Sequence, residues 1–114
     1  MAEKGQHNWV FADGNPYSSD AVGYEELTVT NLNETAARLT FDIYFTDRAP
    51  VKGLTYTVEA ERVTSFRLDM PICDQEYKLP RSRYSLVLHS NVPVVATFGR
   101  QTGTSYCTVQ GYAY

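Results

Sequence analysis

Ala37-Arg38-Leu39-Thr40-Phe41-Asp42-Ile43-Tyr44-Phe45 decides the fold class. Ala37, Leu39, Phe41, Ile43 and Phe45 are apolar, and Arg38, Thr40, Asp42 and Tyr44 alternate with them. A period of two over nine residues is a strand with one face in the core and the other facing solvent or a partner. Upstream, Leu27-Thr28-Val29-Thr30 alternates again. Asn31-Leu32-Asn33-Glu34 supplies turn residues between the two runs, which together read as a hairpin.

The same reading extends outward. Trp9–Ala12 is a first strand, and Leu54, Tyr56 and Val58 mark another beyond the turn-prone Asp47–Pro50. Val63–Leu68 follows, with Phe66 and Leu68 on one face. Met70–Arg83, with two prolines and mixed charges, is a long loop. Tyr84–Leu88 and Val92–Phe98 are two strands joined at His89-Ser90-Asn91, with Pro93 suited to an edge or a strand start. Tyr106–Tyr114 is a last strand. No window has a helical period. About eight short strands with frequent turns predict an all-β, single-domain antiparallel β-sandwich over residues 1–114, with 1–8 a flexible lead.

Composition agrees. The 114 residues are 43% hydrophobic and 20% charged, as in ordinary globular chains, so disorder is excluded. Thirteen acids against ten bases give a charge of −3, which argues against the cationic footprint of a nucleic-acid binder. No stretch suits a membrane helix or a signal peptide, and the expected location is cytoplasmic. Cys73 and Cys107 lack metal-ligand spacing with His7 and His89, so they read as two reduced thiols, with no metal and no cofactor.

Catalytic signals are weak. His7 falls in the flexible lead and His89 at a strand end. Glu25 and Glu26 point to opposite faces of a strand and cannot pair. Gly99–Gly103 lacks the lysine of a phosphate loop. A small hydrolase or isomerase using Glu25, His89 or Cys73 is the weakest of three readings. Binding is better supported, since nine tyrosines, five phenylalanines and one tryptophan interleave with Asp, Asn and Arg. Aromatic faces with a few oriented polar groups hold sugars and similar polar molecules. A third reading is a protein-interaction transducer, its interface on the sheet face around Arg38, Asp42 and Tyr44.

Tyr44-Phe45-Thr46-Asp47-Arg48-Ala49-Pro50-Val51 brings a family into view. Together with Gly23-Tyr24-Glu25, Thr30-Asn31, Ala60-Glu61-Arg62 and Arg67, it resembles the bacterial sensory rhodopsin transducer family. Trp9–Gly14, Ser90–Val95, Arg100 and Gly111-Tyr112-Ala113 extend the resemblance over nearly the whole chain. The resemblance implies a cytoplasmic all-β sandwich assembling as a homotetramer. Its founding member is a soluble partner of a membrane photoreceptor, and most relatives look like non-enzymatic small-molecule binding modules with a sugar-like ligand. By position, Trp9, Glu25, Asn31, Tyr44, Asp47, Arg67, Asn91 and Arg100 match the pattern and are the expected ligand-binding residues. Trp9 would offer an apolar face, and Glu25 and Arg100 would orient polar groups. The chain departs from the family at Tyr24, at Thr97 and Phe98, and at Gln101-Thr102. Nothing in it marks a photoreceptor-docking surface. The Tyr112–Tyr114 terminus is a candidate subunit contact.

Overall fold

The alternation at 37–45 is realised residue by residue. In the computed structural model, which describes residues 4–15 and 23–114, β3 (Ala37–Phe45) buries Ala37, Leu39, Phe41 and Ile43 completely. Arg38 and Tyr44 stay exposed on its other face. The remaining strands among the described residues are β1 (Gln6–Gly14), β2 (Gly23–Asn31), β4 (Val51–Val58), β5 (Arg62–Arg67), β6 (Tyr84–Thr102), β7 (Ser105–Val109) and β8 (Tyr112–Ala113). Every pairing is antiparallel and the described residues contain no helix, so none that could cross a membrane. The fold is all-β.

The strands make two layers that share β6. One runs β4-β3-β6-β1-β8, and the other runs β5-β2-β6-β7. The first part of β6 pairs with β3 as far as Ser90, and the second pairs with β2 from Val95 onward. Phe41 of β3 meets Phe66 of β5 edge-on at 5.3 Å, and Phe11 of β1 stacks on Phe98 at 5.5 Å, so aromatic rings knit the layers together.

Four details differ from the sequence expectation. First, Tyr84–Leu88 and Val92–Phe98 are one 19-residue strand, not two around a turn. Its even-numbered residues from Tyr84 to Ser90 and from Val94 to Phe98 are buried, so the inward face is kept through the change of layer. Pro93 falls in the gap between the last β3 pair and the first β2 pair, where a missing N–H breaks no ladder bond. Second, β2 and β3 form no hairpin. They lie in different layers, and the true hairpin is β3–β4. Third, β1 begins at Gln6, so Gln6, His7 and Asn8 of the expected flexible lead belong to a paired strand, while residues 1–3 lie outside the described residues. Fourth, the expected C-terminal strand is divided into β7 and β8.

Asn31 explains the missing hairpin. Its buried amide donates to the carbonyls of Thr35 (2.9 Å), Val58 (3.2 Å) and Glu59 (3.3 Å), while its Oδ1 accepts from the backbone and side chain of Asn33. These bonds turn the chain across the end of the sandwich instead of back along β2. The long loop after β5 carries no strand and is anchored by buried Leu68, Ile72 and Leu79.

Candidate functional site

Alternation places two charges on an inward face. On β2, Glu25 precedes Leu27 and Val29 in the inward period. On β6, Arg100 continues the period of Val94, Ala96 and Phe98. The β2–β6 register sets Glu25 directly opposite Arg100. Glu25 is 5% exposed and the Arg100 side chain 16%.

Three groups among the described residues donate to Glu25. Arg100 reaches Oε2 through Nη2 (2.8 Å) and Nε (3.1 Å). The Tyr84 hydroxyl donates to Oε1 at 2.7 Å, and the backbone N–H of Asn15 approaches both oxygens at 2.9 and 3.2 Å. Arg100 Nη2 also donates to the Asp13 carbonyl at 2.8 Å, and Arg83 pairs with the Asp13 carboxylate at 3.2 Å. Charge-assisted bonds of this kind justify burying a charged pair. Burial, with the nearby Glu25 charge, pushes the Tyr84 phenol far above its ordinary pKa, so it remains a donor. Burial also opposes the Arg100 charge, but the bond to Glu25 outweighs it and the guanidinium pKa is raised.

Beside this cluster is a cavity of about 190 Å³. Gly23, Tyr24, Glu25 and Tyr84 form one wall, and Leu68, Asp69 and the loop segment Lys78–Arg81 form the other. Both Asp69 oxygens are held by Arg67, through Nη2 at 2.7 Å and Nε at 3.0 Å. The Arg67 guanidinium lies 3.8 Å from the Tyr24 ring centroid, which fixes that ring at the rim.

The eight expected ligand-binding residues therefore do not form one pocket. Glu25 and Arg100 are together, and Arg67 stands at the rim behind Tyr24 and Asp69. Trp9 is remote: its indole N–H donates to the Val94 carbonyl at 3.1 Å, and the rings of Phe11, Phe98 and Tyr84 lie between it and Glu25. Asn31 is sealed in its turn. Asn91 accepts a 2.7 Å bond from the Arg38 backbone N–H, replacing a ladder bond where β6 leaves β3. Asp47 is bound by Arg48 and Ser82, whose hydrogen bonds hold its carboxyl below the usual range. Tyr44 is 42% exposed on the outer face, with the Lys52 ammonium 5.5 Å from its ring centroid. The arrangement of Trp9, Glu25 and Arg100 around one ligand is corrected accordingly.

Tyr84, Asp69 and Lys78 were not among the expected site residues. Tyr84 starts an alternating strand and reads as core. Asp69 and Lys78 sit next to or within a loop whose path no local pattern reveals.

Residues 4–113 match the Anabaena sensory rhodopsin transducer family. The chain belongs to that family. Among solved structures, the Anabaena sensory rhodopsin transducer is 25% identical, with a TM-score of 0.67, over 84% of this chain and 97% of that one. A Thermotoga maritima protein is 27% identical, with a TM-score of 0.78, over 97% of both chains. No curated protein matches. Within the transducer family fold, Glu25 of β2 and Arg100 of β6 face each other across the β2–β6 ladder, beside a cavity that Glu25 helps to line.

Proposed function

We propose that this member of the transducer family is a non-enzymatic, cytoplasmic module that binds a small polar ligand, of about the size of one sugar ring, and relays its presence to a protein partner as a homo-oligomer. The observation that carries this reading is the cavity's two unlike walls. One is held rigid by the Glu25–Arg100–Tyr84 cluster, and the other is a loop that continues to the far layer.

That loop supplies a relay. Beyond the cavity, the Asp74 N–H donates to the Thr55 carbonyl at 2.8 Å, and its carboxylate pairs with Arg38 at 3.0 Å. Gln75 exchanges two 2.9 Å bonds with Thr55. A ligand that draws in Lys78–Arg81 would therefore be felt at Arg38, on the exposed face that also carries Tyr44. A partner docking on that face would read the shift. The non-enzymatic reading is supported by Glu25, whose oxygens are occupied. His89 bonds Asn8 at 2.7 Å, and His7 bonds the Ser90 carbonyl at 3.0 Å; neither histidine lines the cavity. Exposed Tyr112 and Tyr114, stacked at 5.7 Å, offer a subunit contact.

The test is a thermal-shift screen of sugars, sugar phosphates and nucleotides, with light scattering for mass. A ligand specific to the folded state raises the melting temperature in a saturable way. The expected result is such a rise, lost in Tyr24→Ala. No rise across the panel from a folded protein would defeat ligand binding. It would leave the protein-interaction face, tested by whether Tyr44→Ala abolishes recovery of a defined partner.

A further inference from the structure

The hydrogen-bonding state of the cavity walls restricts what can enter. Two carboxylates line it: Glu25 is enclosed by Arg100, Tyr84 and Asn15, and the charge of Asp69 is paired with Arg67 through one bond to each oxygen. Glu25 is 5% exposed and spent on its own cluster, and Asp69 carries no unpaired charge for a cationic ligand. On the wall across from Glu25, which Asp69 shares, the Lys78 ammonium has no ion pair and no hydrogen bond among the described residues. Arg81 adds a second positive charge to the same wall. The need left by the wall is for acceptors with negative charge, because Lys brings three donors and no acceptor.

We infer that the ligand of this cavity carries a compact oxyanion, a carboxylate or a phosphate, received by Lys78 while its remaining body lies against Tyr24, Leu79 and Pro80. This inference rests on the cavity being the ligand site. Size agrees with a small ligand: about 190 Å³ is below the roughly 300–1,000 Å³ of pockets for drug-sized molecules, so a single ring with one anionic group fits the scale. The overall charge of −3 is no obstacle. Screening reduces the reach of distant charges to about 8 Å at physiological ionic strength, so local cations dominate at the cavity mouth.

The test is a nuclear magnetic resonance titration of the full chain at constant ionic strength with glucuronate, glucose 6-phosphate and glucose. At least one anion should shift the amides of Gly23, Tyr24 and Leu79 saturably, and the stronger of the two identifies the group. Glucose should bind about tenfold more weakly or less, as expected for one lost charge-assisted contact. Lys78→Gln changes an exposed loop residue, so the fold should persist while anion affinity falls by about tenfold or more. Glucose binding at these residues as tightly as the anions, or anion binding unaffected by Lys78→Gln, would overturn the oxyanion but leave the cavity as a ligand site. Absence of any shift at these residues with all three probes would overturn both.

Discussion

Arg100 directs two nitrogens at one oxygen of Glu25, 2.8 and 3.1 Å from Oε2, and leaves Oε1 to the Tyr84 hydroxyl. The pair is therefore one corner of a three-sided cluster rather than a side-by-side fork. Removing one member of such a buried pair leaves an uncompensated charge, which costs more than the intact pair contributes.

Arg100→Met should thus lower unfolding free energy by about 3 kcal/mol, the low end for a broken buried pair, because Arg100 keeps some solvent contact. Adding Glu25→Gln should restore about 1 kcal/mol or more, since a neutral amide oxygen still accepts from Tyr84 and Asn15. Urea denaturation of wild type, single and double variants checks this. A double variant no more stable than Arg100→Met would mean that the buried charge is not the source of the loss.

Tyr84 gives the cluster a pH dependence. Its folded pKa is raised by burial and then by the Glu25 charge, so the native state retains a proton that the unfolded chain releases above about 10. The stabilisation is complete below that value and is lost as pH rises above it. Tyr84→Phe should cost about 2 kcal/mol at neutral pH through the missing bond to a charged acceptor. It should also flatten the fall in stability on the alkaline side. An unchanged alkaline slope would show that another group governs it.

How far the sequence could be read depends on whether the signal was local. Period-two alternation at 37–45 reports a strand because neighbouring residues must face opposite sides, and β3 obeys it. The hairpin expected from Asn31–Glu34 failed because turn residues specify a change of direction and not the strand that follows as a neighbour. Asn31 bonds to Val58 and Glu59, far along the chain, and those partners choose the layer. The turn expected at His89–Asn91 failed likewise, since polar residues there serve a bend between layers. Glu25 and Arg100 were legible one by one as charges without backbone duties, but their bond to each other, and to Tyr84, depends on the β2–β6 register, which no local pattern reports. Trp9 illustrates the limit: an isolated tryptophan suggests a ligand face, yet its N–H found a carbonyl within the fold. Lys78 was invisible because only tertiary structure brings its loop to β2.

The two free thiols should separate sharply in reactivity. Cys107 is exposed on β7, in register with Arg100, whereas Cys73 is half-buried within the long loop. Burial, reinforced by the Asp74 charge, pushes the Cys73 thiol up to about 12. Because the thiolate is the attacking form, Cys73 at pH 8 has about one part in ten thousand available. Alkylation followed by mass spectrometry should therefore give a single adduct on Cys107 within minutes, with Cys73 modified only in denaturant. The linkage has the same sign as for Tyr84: Cys73 contributes stability below an unfolded thiol pKa of about 8.5, and that contribution fades as pH rises above it. Cys73→Ala should remove this earlier part of the alkaline loss and leave the Tyr84 part in place. Equal labelling of both thiols in the folded protein would mean that the loop opens readily, and the relay assigned to it would then lack a fixed resting position.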